Sequence, residues 1–350
     1  MATSLAGVMH ARNPRARSAL AALVTLGAAA VVVLATLAFM GIDTGLALGA
    51  LWRGSFGSPY AITSATLVRA VPLILTGLAV ALAFRAGVFN IGAEGQLLVG
   101  AAAAAATAGA LGDATRIIVI PAVLIAGMAS GAAWAAIADW LRRRFDVLEV
   151  ISTILLNFVA INLIGFLVRG PLQEPTRIFP QTPTLEATSR LPILLAGSRL
   201  HLGALIALAA AVSLWWFLRD RAGGFRIDAA GANPDAAAVA GQIDVGTVST
   251  RAFLASGALA GLAGAVELTG VTFALYENLS PGYGYTAIAV ALLARLHPLS
   301  VLAAGILFAA LDVGANAMQR DAGVPAALVH AVTAIVILGV VAAARTQRSD

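Results

Sequence analysis

The sequence predicts an all-α membrane protein that crosses the bilayer about ten times, with eight or nine crossings as the alternatives. Two features indicate this class. Of the 350 residues, 60% are hydrophobic and only 11% are charged, and the mean hydropathy is +0.92, whereas a soluble domain is about half apolar and about a quarter charged. Apolar runs also follow one another along nearly the whole chain, which leaves no room for a folded soluble domain larger than a loop.

Ten apolar runs account for the predicted spans, because a helix needs roughly 20 apolar residues to cross the hydrocarbon core. The first run follows Arg12, Arg15 and Arg17, and at about 23 residues it is too long for the apolar region of a cleaved signal peptide. We therefore expect an uncleaved first helix. The eighth run is too short to span alone. The runs are 18–40, 61–84, 91–111, 117–141, 150–168, 201–218, 250–275, 286–294, 299–318 and 325–343.

The placement of arginine predicts that both termini lie in the cytoplasm. With that orientation fourteen of the 22 basic residues lie inside, seven lie outside, and Arg69 lies within a span. Short cytoplasmic loops of membrane proteins carry such an excess of basic residues. The chain is then a single transmembrane domain (1–350) with an N-terminal tail (1–17), an external loop (169–200), a cytoplasmic loop (219–249) and a C-terminal tail (344–350).

The charged residues and the histidines exclude several functions. All 22 basic residues are arginine, so the chain lacks the lysine that a P-loop needs to hold ATP. Arginines at membrane edges account for the net charge of +5 without a nucleic-acid partner. There is no cysteine, and the four histidines are scattered, so we expect no metal site and no cofactor bound by this chain.

A short sequence occurs twice, which raises the question of an internal repeat. AVALAFR (79–85) returns as AVALLAR (289–295), and Ala93, Gly95 and Leu97 match residues at the same offset. Many transporters consist of two related halves. Chance identity in a sequence rich in alanine, leucine and valine explains the same observation, so both interpretations stay open.

The loop 219–249 contains a short predicted helix within GANPDAAAVAGQIDVG (231–246). Asn233 can cap it, Pro234 suits its first position, and Asp235 complements the positive end of its dipole. Gly241 is expected to take the left-handed conformation that ends a helix. Such a helix needs a surface to lie on. Because it lacks the large apolar anchors of interfacial helices, it suits a groove on another protein better than the membrane surface.

The stretch FRAGVFNIGAEGQ (84–96) places polar residues and glycines between two apolar runs. Non-helical backbone at membrane depth persists only where it is buried in protein or lines a cavity. One interpretation is therefore that Phe89, Asn90, Glu94 and Gln96 line a path for a solute. The alternative is that they pack helices together, with Glu94 paired to an arginine, either Arg85 or Arg69.

Other polar groups within the spans have the same two interpretations. Glu267 and Asp312 lie deep in their runs, and ionisable groups inside a membrane are costly and often functional, so both are candidates for the path. Asn157 and Asn162 are five residues apart and face different ways, and each is expected to form hydrogen bonds between helices rather than to bind a ligand.

Three segments resemble the permease subunits of bacterial ABC importers for ribose-type sugars, branched-chain amino acids and nucleosides. They are LTGLAVALAFRAG (75–87), FNIGAEGQLLVGA (89–101) and GANPDAAAVAG (231–241). The wording FNIGAEGQ is most similar to the nucleoside permeases that work with basic-membrane-protein-type lipoprotein receptors. The resemblance implies that 233–241 is a coupling helix seated in a cleft of an ATPase subunit. The residues it assigns to coupling are Gly231, Asn233, Pro234, Asp235, Ala236, Ala237 and Gly241.

The resemblance also implies the partners and the function. It implies a multi-pass subunit of the inner membrane that imports nucleosides without covalent chemistry, beside a second, different permease subunit. ATP and Mg²⁺ would bind the partner ATPase, and an external lipoprotein receptor would deliver the solute, with the loop 169–200 as its contact or as a passive connector. The alternatives are a permease for a ribose-like monosaccharide and an ion-coupled transporter with Glu94 or Glu267 as its proton site. A membrane-embedded enzyme lacks a convincing catalytic cluster.

Overall fold

The computed structural model of the chain describes residues 31, 35–112, 114–325 and 328. These residues are mostly helical, and no β-strand occurs among them, although two isolated bridges join loop residues. The helices are α1 (Thr44–Phe56), α2 (Leu67–Arg85, entered through a π-helical turn, Ala61–Thr66), α3 (Ala93–Leu111), α4 (Arg116–Phe145), α5 (Glu149–Arg169), α6 (Gly203–Asp220), α7 (Ala222–Ala232), α8 (Pro234–Gly241), α9 (Val245–Glu267, continued by a π-helical turn, Leu268–Thr272), α10 (Tyr283–Leu293) and α11 (Pro298–Ala322).

Six helical segments in the described residues are long and apolar enough to cross a membrane, as a multi-pass membrane protein requires. They are Ala61–Arg85, Arg116–Phe145, Glu149–Arg169, Gly203–Asp220, Val245–Thr272 and Pro298–Ala322. Each overlaps a predicted span. Helix α10 is apolar but has only 11 residues, about 16 Å, which is roughly half of the hydrocarbon core. Most of the first predicted span and nearly all of the tenth lie outside the described residues, so the count of ten and the positions of the termini stay predictions.

The larger of two compact units comprises residues 59–310. Within it α2 and α9 are central, with 83% and 78% of their most apolar stretches buried. Helices α3 and α4 pack on α9 through small residues, and a Cβ added to Gly261 would overlap the backbone of Gly127. Small residues allow this close approach, which favours association of helices in a membrane. Helices α4, α5 and α6 are mostly exposed, so they offer apolar faces to lipid or to another subunit.

The smaller unit comprises residues 1–58 and 311–350, of which part is described. Its core brings together Ala47 and Ala50 of α1 with Ala315 and Met318 of α11. Helix α1 was not among the predicted elements, because its apolar run is too short for a span. Asp43 caps this helix, and its Oδ1 accepts a hydrogen bond of 2.9 Å from the amide of Leu46.

The predicted loop 219–249 contains two helices rather than one. Helix α7 was missed because its sequence, AGGFRIDAAGA, holds three glycines and two charged residues, and glycine has a low helix propensity. The long loop after α5 is not helical apart from a short turn at Ala187–Ser189. It is held to the end of α9 and the following segment by backbone hydrogen bonds from Thr182 to Leu275 and from Leu191 to Thr269.

Candidate functional site

The helix break predicted in 84–96 is present. Helix α2 ends at Arg85, Gly87 has a φ of +75°, and α3 begins at Ala93. A positive φ is a conformation that glycine adopts with little strain. The amide of Val88 turns back to the carbonyl of Ala83 at 3.1 Å, so the chain leaves the helix sharply and residues 86–92 run without helical structure between the two helices.

The amide side chains of Asn90 and Gln96 bind each other and are almost fully buried. Asn90 Nδ2 donates to Gln96 Oε1 at 2.8 Å, and Gln96 Nε2 donates to Asn90 Oδ1 at 3.1 Å. Asn90 Nδ2 also donates to Ser256 Oγ on α9 at 2.8 Å, and Ser256 in turn donates to the carbonyl of Ala79 on α2. In this conformation the two amides hold the non-helical segment against α2 and α9.

Glu94 lies where the first turns of α3 and α10 meet. Its Oε2 accepts a hydrogen bond of 2.7 Å from the amide of Gly284, and the carboxylate is 3% exposed. The backbones of Gly284 and of Ala93 and Glu94 are so close that a Cβ on Gly284 would overlap them. Glu94 therefore satisfies a free amide at the N-terminus of a helix other than its own, where a negative charge is favoured.

The two arginines suggested as partners of Glu94 have other contacts. Arg85 forms a bidentate ion pair with Asp228, at 2.6 and 2.7 Å. Arg69 Nη1 donates to the hydroxyl of Tyr283 at 2.6 Å. The pairing of Glu94 with Arg85 is therefore wrong for this conformation, and its contact with α10 takes the place of that pair.

Asn157 on α5 joins the same cluster. Its Oδ1 accepts from the amide of Gly95 at 2.8 Å, and its Nδ2 donates to the carbonyl of Ile91 at 2.9 Å and to the hydroxyl of Tyr285 at 3.3 Å. The predicted hydrogen bonds between helices are thus confirmed for Asn157. Asn162 faces another way and donates to the carbonyl of Phe158 in its own helix.

Tyr283 connects the N-terminus of α10 to α9. Its hydroxyl donates to Glu267 Oε1 at 3.3 Å, while the other oxygen of this buried carboxylate has no hydrogen-bond partner in the described part of the chain. Tyr283 and Tyr285 were not among the predicted site residues. The available signal was PGYGY (281–285), which places both tyrosines at the start of a short apolar run.

A cavity of about 650 Å³ lies beside Glu94, between α3, α5 and the segment that follows α9. This volume is in the range of small-molecule sites. An ion pair crosses one wall, with Arg169 Nε and Nη2 each 2.8 Å from a carboxylate oxygen of Glu277. The polar residues of the lining are Glu94, Asn162, Arg169, Glu277, Asn278 and Ser280. Carboxylate, amide, hydroxyl and guanidinium groups thus converge on one space.

Phe89 and Glu267 do not line this cavity. Phe89 is half exposed and packs edge-to-face on Phe84, with 5.2 Å between the ring centroids. Glu267 contacts the cluster through Tyr283. Asp312 belongs to the smaller unit, where its carbonyl accepts a hydrogen bond from Asn316 Nδ2 at 2.8 Å.

The short helix predicted in the loop 219–249 is present as α8, Pro234–Gly241. Asn233 Oδ1 accepts from the amide of Ala236 at 3.0 Å, Pro234 occupies the first position, and Asp235 lies in the first turn. One detail of the prediction is wrong: Gln242, with a φ of +49°, takes the left-handed conformation, and Gly241 is the last helical residue. Glutamine adopts this conformation less easily than glycine does, and here the amides of Gln242 and Ile243 both donate to the carbonyl of Ala237.

Most of α8 is exposed, which fits a helix that needs another surface. The side chains of Pro234, Asp235 and Ala236 are exposed, Val239 is 84% exposed, and Ala237 is buried. The helix therefore shows a small-residue face that nothing in the described part of this chain covers.

Comparisons with known proteins give the family. The family described as branched-chain amino acid transport system / permease component matches residues 62–341. The chain is 40% identical to the glucose ABC transporter permease protein TsgB13 of Haloferax volcanii, over 89% of this chain and 86% of the relative. It is 38% identical to the guanosine ABC transporter permease protein NupP of Bacillus subtilis, over 91% and 90%, and 35% identical to the nucleoside ABC transporter permease protein NupB of Lactococcus lactis, over 82% and 80%. No solved structure matches the chain significantly.

Proposed function

The chain belongs to the family of permease components of branched-chain amino acid transport systems, and we propose that it imports nucleosides as a membrane subunit of an ATP-driven complex. The observation that carries the proposal is the similarity to a guanosine permease across about nine tenths of both chains. A second permease with a nucleoside in its name is also similar over most of its length. The stretch FNIGAEGQ at 89–96, which resembles nucleoside permeases, supports the same class of solute.

The cavity beside Glu94 is the proposed place where the solute passes. Its carboxylates, amides and hydroxyl suit the ribose hydroxyls and the base edges of a nucleoside, which both donate and accept hydrogen bonds. The first turns of α3 and α10 meet there after non-helical segments, an arrangement found around solute sites in transporters. Glu94 borders the solute, whereas Asn90, Gln96 and Glu267 support the walls, and Phe89 lies in the middle of the broken segment.

The proposed energy source is ATP bound with Mg²⁺ on a separate ATPase subunit. In this proposal α8 docks into a cleft of that subunit, with Asn233, Pro234 and Asp235 shaping its start and Ala237 and Gly241 shaping its end. A second permease subunit covers part of the exposed apolar faces, and a lipoprotein receptor contacts the loop 169–200 from outside the inner membrane. Motion of the ATPase then alternates the access of the cavity between the two sides.

A monosaccharide is the second candidate solute, and one observation favours it. The glucose permease of Haloferax volcanii is as similar to the chain as the nucleoside permeases are. A sugar shares with a nucleoside the hydroxyl groups that the cavity suits, so the lining alone does not separate the two. The base of a nucleoside is the part that would distinguish them.

The experiment is to delete the gene in its host and measure uptake of labelled guanosine, uridine, ribose and glucose, with and without depletion of ATP. Loss of ATP-dependent nucleoside uptake, with sugar uptake unchanged, is the expected result. Loss of sugar uptake alone would refute nucleosides as the solute but would leave the assignment as a permease unchanged. Loss of an uptake that follows the proton gradient rather than ATP would favour an ion-coupled transporter using Glu94 or Glu267.

A further inference from the structure

Helix α7, which leads into α8, is pressed directly against the end of α2. A Cβ added to Gly231 would overlap the carbonyl oxygen of Arg85 and would lie 2.9 Å from the amide nitrogen of Gly87. A Cβ on Gly87 would in turn lie 3.3 Å from the Cα of Gly231. The two backbones therefore touch without side chains between them, so a displacement of α7 displaces residues 85–87 as well.

The side chain of Arg85 adds a polar connection at the same place. Its Nε and Nη2 donate to the two carboxylate oxygens of Asp228 on α7 at 2.7 and 2.6 Å, and its Nη1 donates to the carbonyl of Leu296 at 3.4 Å. A bidentate guanidinium–carboxylate pair fixes orientation as well as distance. Leu296 lies in the turn between α10 and α11, so one guanidinium joins α2, α7 and this turn.

Two routes lead from this contact to the cavity. The first follows residues 86–92, held by the hydrogen bonds of Asn90, into the first turn of α3 with Glu94. The second follows α10 from the turn at Leu296 back to its N-terminus at Gly284, about 16 Å away along the helix axis. Both routes end at the hydrogen bond between Glu94 and the amide of Gly284.

We propose that Arg85, Gly87, Asp228 and Gly231 form the mechanical link that carries motion of α8 to the cavity. We call these four residues the Arg85 link. The inference rests on the proposed function, because it takes α8 as the helix that the ATPase moves. Only Asn233 separates α7 from α8, so the two short helices move together. The link makes Arg85 and Asp228 positioning residues, since neither lines the cavity beside Glu94.

The ion pair between Arg85 and Asp228 is not needed for the stability of the fold. The side chains of Arg85 and Asp228 are 25% and 41% exposed, and an ion pair with that exposure contributes little to stability because solvent screens it. A variant of Asp228 should consequently fold and insert normally. A defect that appears in transport but not in stability would then show that motion of α8 no longer reaches the cavity.

The test measures nucleoside transported per ATP hydrolysed by the complete complex in proteoliposomes, with the ATPase, the second permease and the receptor present. Asp228→Asn is expected to lower uptake about tenfold, while the rate of ATP hydrolysis stays near that of the wild type. Arg226→Gln is the matched control, because Arg226 is an exposed residue of the same helix. The double variant Arg85→Asp with Asp228→Arg is expected to recover part of the lost uptake.

A second pair of variants tests the backbone contact without changing charge. Gly231→Ala inserts a methyl group between α7 and the backbone of residues 85–87. It is expected to lower the midpoint of thermal unfolding, and in the protein that still inserts it is expected to uncouple transport from hydrolysis. Gly109→Ala is its control, because a Cβ on Gly109 meets no atom within 4 Å. Equal loss of uptake and of hydrolysis in Asp228→Asn and Gly231→Ala would show that these residues have only a structural role, and it would overturn the link. Wild-type uptake in both variants would also overturn the link.

The outcomes also separate this inference from the function on which it rests. A wild-type complex without ATP-dependent nucleoside uptake would refute the proposed function, and the link with it. Wild-type uptake that is lost in a helix-breaking variant of α8 but retained in Asp228→Asn and Gly231→Ala would refute the link alone. A charge reversal that recovers nothing would also count against the ion pair as the connection.

Discussion

Replacing Gly284 with alanine should break the contact between α3 and α10 at the cavity. The added Cβ would overlap the amide nitrogen of Glu94 and lie 2.5 Å from its Cα and 2.8 Å from the carbonyl carbon of Ala93. All three neighbours are backbone atoms, so no side chain can rotate away. Since carbon atoms pack at about 3.5–4.0 Å, the helices must separate by about 1 Å.

That separation removes a hydrogen bond as well as close packing. A shift of about 1 Å lengthens the contact from the Gly284 amide to Glu94 Oε2, now 2.7 Å, beyond hydrogen-bonding range. Overpacking costs about 1–3 kcal/mol, and an unsatisfied buried group costs about 1–3 kcal/mol more. We therefore expect Gly284→Ala to destabilise the protein by about 2–6 kcal/mol, the sum of these two costs.

The assay compares thermal unfolding of the purified protein in detergent with nucleoside uptake by the complete complex. Gly284→Ala should lower the midpoint of unfolding by several degrees and reduce uptake, and Gly109→Ala on α3 should change neither. Glu94→Gln keeps an oxygen that accepts from Gly284 and should retain most of the stability. A Gly284→Ala variant that unfolds and transports like Gly109→Ala would refute the reasoning.

Four further changes test other parts of the structure. Ala237→Pro removes the hydrogen bond from its amide to the carbonyl of Asn233 at a cost of about 3 kcal/mol, so uptake should be lost while membrane insertion, measured by fractionation, is unchanged. Asn233→Ala removes the cap of α8 for about 1 kcal/mol and should slow uptake without abolishing it. Arg169→Gln should alter the KM of uptake but change the free energy of unfolding by less than about 1 kcal/mol, because the arginine is 66% exposed. An unchanged KM would show that the ion pair of Arg169 and Glu277 does not contact the solute. Burial, with a contribution from Arg199, lowers the pKa of His201 to about 4. The folded state is therefore favoured above the unfolded pKa near 6.5, and this contribution to stability is lost as pH falls from about 6.5 to about 4. His201→Gln should weaken that part of the pH dependence of thermal unfolding, and a profile identical to that of the wild type would contradict the prediction.

The spans were predictable because their signal is local. The predicted run 150–168 corresponds to the helix Glu149–Arg169, and the run 61–84 corresponds to the helical segment Ala61–Arg85. The length and polarity of a run decide whether it can span a membrane, and both are read from consecutive residues. The cap at Asn233 was predictable for the same reason, since the side chain and the amide that it caps are three residues apart.

The contacts of the candidate site were less predictable because they join distant parts of the chain. The partner of Glu94 is 190 residues away, and a glycine amide carries no side-chain signal that would mark it. The prediction considered only arginines as partners of this carboxylate. Asn157 was correctly expected to join helices, but its partners at Gly95 and Ile91 depend on the packing of α5 against the broken segment.

Helix α7 shows how tertiary contact overrides propensity. Its glycines predict a loop, yet Gly231 is needed where α7 touches residues 85–87, and Gly224 would overlap the backbone of Leu218 if it carried a Cβ. A glycine chosen for close packing looks in the sequence like a glycine chosen for a turn. The Arg85 link therefore could not be recognised from the sequence.

Guanosine uptake by the reconstituted complex, measured with ATP on the ATPase side and with the proton gradient dissipated, tests most directly whether α8 couples the permease to an ATPase. We expect uptake that requires ATP, persists without a gradient and disappears in Ala237→Pro. Uptake that needs a proton gradient and ignores ATP, or that is normal in Ala237→Pro, would contradict the claim that α8 couples this permease to an ATPase.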